Sequence, residues 1–71
     1  MTVAATLYFC RMEPVWKNGD DYIHINETQD NACENARIEC EKQYEYCEVT
    51  ACGEYKNSIS FNQMDCTNVE M

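Results

Sequence analysis

Leucine is nearly absent. Leu7 is the only one in 71 residues, and four isoleucines, four valines and two phenylalanines bring the large apolar set to eleven. That share lies below the roughly 20% under which a charged chain tends not to fold unaided. Glycine (two) and proline (one) are scarce as well, which leaves no linker or low-complexity segment. There is no internal repeat, and no apolar run reaches the length of a membrane span. Bases are few and scattered, at Arg11, Lys17, Arg37, Lys42 and Lys56, against thirteen acids and a net charge of −8. Nucleic acid and anionic membranes call for clustered Lys and Arg, so neither is an expected partner. The acidity suits a basic patch on another protein, DNA mimicry or plain solubility.

What the chain does have is cysteine. Six occur, about 8.5% of the residues, within the range of disulfide scaffolds among short secreted proteins. A single small domain over 1–71 is too short to bury much surface and commonly needs such staples. Disulfides persist in oxidising compartments and not in the cytosol. The start MTVAATLYFC has no basic n-region and no long apolar h-region. It reads either as a cytosolic chain beginning at Met1 or as a mature secreted domain whose leader has been removed. The cysteine count favours the second.

Local patterns outline the fold. TVAATLYFCRME is β-branched and aromatic and reads as a strand. Asn18-Gly19 signals a tight turn. DYIHIN alternates, with Ile23 and Ile25 on one face and Tyr22, His24 and Asn26 on the other. ETQDNACENARIECEKQY is a helix, with Thr28 or Asp30 as N-cap and Cys33, Ala36, Cys40 and Tyr44 as the buried stripe. YCEVTACGEY is a third strand, KNS a turn and ISFNQM a possible fourth strand. The expected architecture is α+β: an antiparallel sheet of three to four strands with one helix packed on it, ββαββ, stapled by disulfides.

Cys33, Cys40 and Cys47 stand seven apart. Two helical residues at that interval are about 10.5 Å apart along the axis, beyond the roughly 7 Å limit for a bridge. Cys33 therefore does not pair with Cys40. Cys47 and Cys52 in one extended strand lie about 16 Å apart and on opposite faces, so they do not pair either. These exclusions reduce the fifteen connectivities of six cysteines. The helix is expected to be tied to the sheet at two levels, with Cys10, Cys52, Cys66 and Cys47 as available partners. Zinc sites draw on tight C-x2-4-C knuckles in pairs. The spacings here do not supply them, and no metal or cofactor is expected. A nucleophilic cysteine needs a nearby base. His24 is the only histidine, and no phosphate loop or nucleophile elbow is present. No enzymatic activity is expected.

Two surfaces are candidates for partner binding. One is the sheet face away from the helix, with Tyr8, Tyr22, His24 and Tyr46, since tyrosine among polar neighbours makes good contact area. The other is the acidic helix edge of Glu34, Glu41 and Glu45 with Ile38, which also has the composition of an ordinary solvated helix face. Asn26-Glu27-Thr28 is an N-glycosylation sequon, a triplet that also arises by chance.

DNACENARIEC, CEVTAC and MDC resemble the cysteine framework of small cysteine-rich secreted effectors of plant-associated fungi. Leucine poverty and abundant asparagine are similar in style. The resemblance implies a secreted, non-enzymatic, toxin-like module that binds a host protein. Relatives of fungal killer toxins in that group have two helices; one is legible here, so that topology is not carried over. YIHINETQDNACENARIECEKQYEYCEVTA also looks like small acidic phage proteins that inhibit host RNA polymerase, through Gln43-Tyr44 and Glu48-Val49-Thr50. Six cysteines are not part of that pattern. This second resemblance implies a cytoplasmic inhibitor with free core thiols that binds a host enzyme.

Overall fold

The computed structural model describes residues 6–16, 20–57 and 63–66. Three strands and one helix follow in the order β1 (Leu7–Pro14), β2 (Tyr22–Asn26), α1 (Gln29–Glu41) and β3 (Cys47–Tyr55). The sheet order is β2-β1-β3, antiparallel throughout. β1 is central because its residues bury on both faces: Phe9, Cys10 and Met12 are all closed to solvent. The α+β class, the three-stranded antiparallel sheet and the single helix agree with the sequence pattern. The Asn18-Gly19 turn lies outside the described residues.

Helix α1 starts where its cap dictates. The Thr28 side chain accepts a hydrogen bond from the Asn31 backbone N–H at 3.1 Å, so Thr28 rather than Asp30 is the N-cap. Gln29, Ala32, Cys33, Ala36 and Cys40 form the buried stripe. Small side chains at Ala32 and Ala36 let the helix approach the sheet closely, and the space is filled from β1 by Cys10 and Met12. Gln29 is the one buried polar residue of the stripe, and its Nε2 donates to the Phe9 carbonyl at 2.7 Å. Tyr44 lies past the helix end, half-buried against Met12, Ala36 and Cys40.

A bulge corrects one expectation. The β1–β3 register slips between Arg11 and Met12: Arg11 pairs with Ala51, but Met12 pairs with Val49. Thr50 is the extra residue, and its hydroxyl is held by Arg11 Nη1 at 3.2 Å. Simple alternation assigns Cys47 and Cys52 to opposite faces. The inserted residue reverses the phase, so Cys47 follows Pro14 and Met12, Cys52 follows Cys10, and both turn to the helix side.

The possible fourth strand is not shown. Most of ISFNQM lies outside the described residues. What is described is one parallel bridge between Cys52 and Met64, with Cys52 N–H donating to the Gln63 carbonyl and Asp65 N–H to the Cys52 carbonyl, each at 3.0 Å. Among the described residues no antiparallel fourth strand is present, and the order is ββαβ followed by this bridge.

Gly53 makes that close approach possible. Its φ is +145°, and a Cβ there would lie 2.9 Å from Gln63 Cδ and 3.3 Å from the Asp65 carbonyl oxygen. The glutamine side chain can swing away, but the backbone conformation stays unfavourable for any side chain. Gly53→Ala is expected to lower stability by about 1–3 kcal/mol, measured by chemical denaturation. An unchanged midpoint would show that this strand end has no such constraint.

Candidate functional site

All six cysteines are bridged: Cys10–Cys33, Cys40–Cys47 and Cys52–Cys66, with Cα separations of 4.9, 6.4 and 5.3 Å. Neither excluded pair occurs. The helix is tied at two heights, to β1 through Cys33 and to the start of β3 through Cys40. Cys10 and Cys52 face each other across the ladder, so two bridges sit side by side in the centre of the domain. No thiolate remains for nucleophilic attack in the oxidised protein. Among the described residues no group of three or more His, Cys, Asp or Glu is arranged to hold a metal ion. No described helix is long and apolar enough to cross a membrane.

The expected tyrosine face is not assembled. Cys10 must point at the helix to reach Cys33, and strand partners share a face, so His24 (opposite Cys10) and Tyr22 (opposite Met12) point to the helix side too. Tyr8, two residues before Cys10, has the same orientation. His24 Nε2 lies 3.3 Å from Glu39 Oε2 on α1, and Tyr22 packs against the Met12 cluster and edge-on to Tyr44, with ring centroids 6.4 Å apart. Ile23 and Ile25 take the side expected for the tyrosines, and Ile25 is exposed. Tyr46 is exposed at the far end of the sheet, where its carbonyl accepts from Val15 N–H at 2.9 Å. Tyr8 and Val15 are seven positions apart on one extended segment, about 23 Å, so Tyr8 and Tyr46 do not share one contact area.

The acidic helix edge is present but partly neutralised. Glu34, Ile38 and Glu41 are exposed on α1, and Glu45 is exposed beyond it. Arg37 lies between the acids, 2.7 Å from Glu34 and 3.7 Å from Glu41, and its hydrogen bond to Glu34, followed by the charges of Glu34 and Glu41, holds its guanidinium more firmly protonated than usual. The spacing Glu34-Arg37-Glu41 is an i, i+3, i+7 signal visible in the sequence.

Two polar clusters escaped the sequence reading. On the outer sheet face, Arg11 Nη2 contacts Glu13 at 2.5 Å and Asp21 at 2.9 Å. The Glu13 carboxyl is raised above its ordinary value, chiefly by a hydrogen bond shared with Asp21 and then by burial, against the lowering pull of Arg11. On the other side the Tyr44 hydroxyl donates to Asp20 Oδ2. Arg11 and Glu13 share a strand face at i, i+2, but the Arg11–Asp21 and Tyr44–Asp20 contacts join residues 10 and 24 positions apart, and no local pattern announces them.

The Tyr44 contact has a measurable consequence. The bond to Asp20, then desolvation, then the nearby negative charge push the phenol up from 10.0 to about 12. A raised folded value means that the contribution is complete below the unfolded value near 10 and is lost as pH rises through about 12. Tyr22 is raised as well, by desolvation and then by the charges of Asp20 and Glu39, so alkaline titration of phenolate absorbance is expected to show Tyr44 as the latest tyrosine, and Tyr44→Phe is expected to remove that latest step. Titration of all tyrosines together near 10 would contradict the contact.

Comparison with known proteins adds no relative: no protein-family model matches the chain, and neither a curated protein nor a solved structure does.

Proposed function

We propose that the chain is a secreted, disulfide-stabilised, non-enzymatic protein of the effector or toxin type, acting by binding a host protein. The observation that carries this reading is the complete pairing of the cysteines inside so small a core. Nine apolar residues are buried among those described, and four of them are half-cystines: Cys10, Cys33, Cys40 and Cys52. A core built from bridges suits an oxidising compartment and is poorly suited to a reducing one. The acidic surface supports a partner with a basic patch, and Glu34, Ile38, Glu41, Glu45 and Tyr46 are the anticipated binding residues that stand exposed. Tyr8, Tyr22 and His24 are half-buried and serve this reading less well.

The test is thiol trapping in the producing cells, with alkylation before lysis and intact-mass analysis of cells and medium. The expected result is protein in the medium, with no alkyl group and a mass about 6 Da below the all-thiol value. Protein retained in the cells with six alkyl groups would overturn secretion and favour the cytoplasmic inhibitor of a host enzyme.

A further inference from the structure

We propose that the end of the sheet where β1 finishes and β3 begins is a docking surface for a basic protein face, with Trp16 as its anchor. Trp16 is 83% exposed, beside Val15 at 41% and Tyr46 at 56%. Val15 and Tyr46 stand together because Val15 N–H donates to the Tyr46 carbonyl at 2.9 Å, one residue beyond the Pro14–Cys47 pair, and Trp16 follows Val15 directly in the chain. Tryptophan and tyrosine are the residues most enriched among binding anchors. A cluster of exposed large apolar residues, unlike a single one, marks a contact site.

The patch is also held in place. Pro14 fixes the backbone entering Val15, and the Cys40–Cys47 bridge fixes the backbone leaving Tyr46. Little order has to be gained on binding, which is what lets a small patch bind usefully.

Charge selects the occupant. Glu13 and Glu48 face each other next to Pro14–Cys47, Glu45 precedes Tyr46, and Asp20 and Asp21 lead into β2. Arg11 is the one Lys or Arg in the three strands, and it contacts both Glu13 and Asp21; Lys17, next to Trp16 in sequence, stands against five acids. An apolar centre inside an acidic rim complements a basic protein surface with an apolar pocket. The same rim repels nucleic acid, anionic lipid and a second copy of this chain.

The inference goes beyond secretion and does not depend on it, because thiol trapping and the following experiment read different quantities. Trp16 is the only tryptophan, so its emission reports on the patch alone. The probe is an amphipathic peptide of leucine and lysine; the controls are its leucine–glutamate counterpart, neutral phosphatidylcholine vesicles and dilution of the protein by itself. The expected result is a saturable blue shift with the leucine–lysine peptide only. Tyr46→Ser weakens this binding about tenfold or more, whereas Glu27→Gln with Glu54→Gln, exposed acids at the opposite end of the sheet, leaves it unchanged. Both variants alter exposed side chains and keep the fold. No shift with any probe, a shift with vesicles or on self-association instead, or equal loss in the Glu27→Gln with Glu54→Gln variant would overturn the proposal.

Discussion

Reduction of all three bridges is expected to unfold the domain. The loop-closure relation assigns about 3.5 kcal/mol to Cys10–Cys33, about 3.0 to Cys52–Cys66 and about 2.5 to Cys40–Cys47, following their sequence separations of 23, 14 and 7. Together these are of the order of the entire net stability of a small domain. The thin apolar inventory offers little to replace them. Access to reagent differs from one bridge to the next. Cys10 and Cys33 are both buried, whereas Cys47 and Cys66 are half-exposed. Thiol attack needs access to a sulfur, so Cys40–Cys47 and Cys52–Cys66 open first and Cys10–Cys33 opens last, with loss of the fold. Stepwise reduction with alkylation at each stage, followed by far-ultraviolet circular dichroism, reads both the order and the unfolding. A fully reduced protein with native ellipticity would contradict the staple account.

Met12→Ala is expected to be among the most damaging single substitutions outside the cysteines. Met12 is fully buried between Ala36 and Cys40, with Tyr22, Tyr44, Cys47 and Val49 around it. Truncating such a residue costs about 2–5 kcal/mol, more where the site cannot collapse. Here it cannot collapse easily. The facing helix residues are already small, and Cys40 is held by its bridge to Cys47. Each kcal/mol shifts the midpoint of a domain this size by about 4–8 °C, so a fall of at least about 8 °C is expected in thermal unfolding. Met12→Leu, which nearly conserves volume, is expected to cost less than about 1.5 kcal/mol. Equal effects of the two substitutions would contradict the packing described.

Much of the fold was legible because local signals agreed. Alternation marked the strands, Thr28 or Asp30 marked the helix start, and the interval of seven showed that Cys33 and Cys40 must reach outward to the sheet. What escaped was decided by pairing between distant segments. Ile23 and Ile25 are the more apolar side of β2, and periodicity alone assigns them to the core. The Cys10–Cys33 bridge and the β1–β2 register place them outside instead. The Thr50 bulge is equally silent in sequence. Nothing in CEVTAC shows an extra residue, yet without it Cys52 would turn away from the helix. Of the candidate surfaces, the helix edge could be read from its spacing, including its partial neutralisation by Arg37. The Val15–Trp16–Tyr46 patch could not, since thirty residues separate its two halves. Its one available signal was the lone tryptophan just before Asn18-Gly19.

The central claim is that a specific set of three bridges organises this chain. Proteolytic mapping of the unreduced, alkylated protein in mildly acidic buffer tests it most directly. Cleavage after Lys and Arg separates Cys10, Cys33, Cys40 and Cys66 onto different peptides, and a second cut after Glu48 parts Cys47 from Cys52. The predicted result is 1–11 joined to 18–37, Cys40 travelling with Cys47, Cys52 travelling with Cys66, and no alkylated cysteine. A link between Cys33 and Cys40 or between Cys47 and Cys52, any other pairing, or six alkylated thiols in natively produced protein would contradict the account.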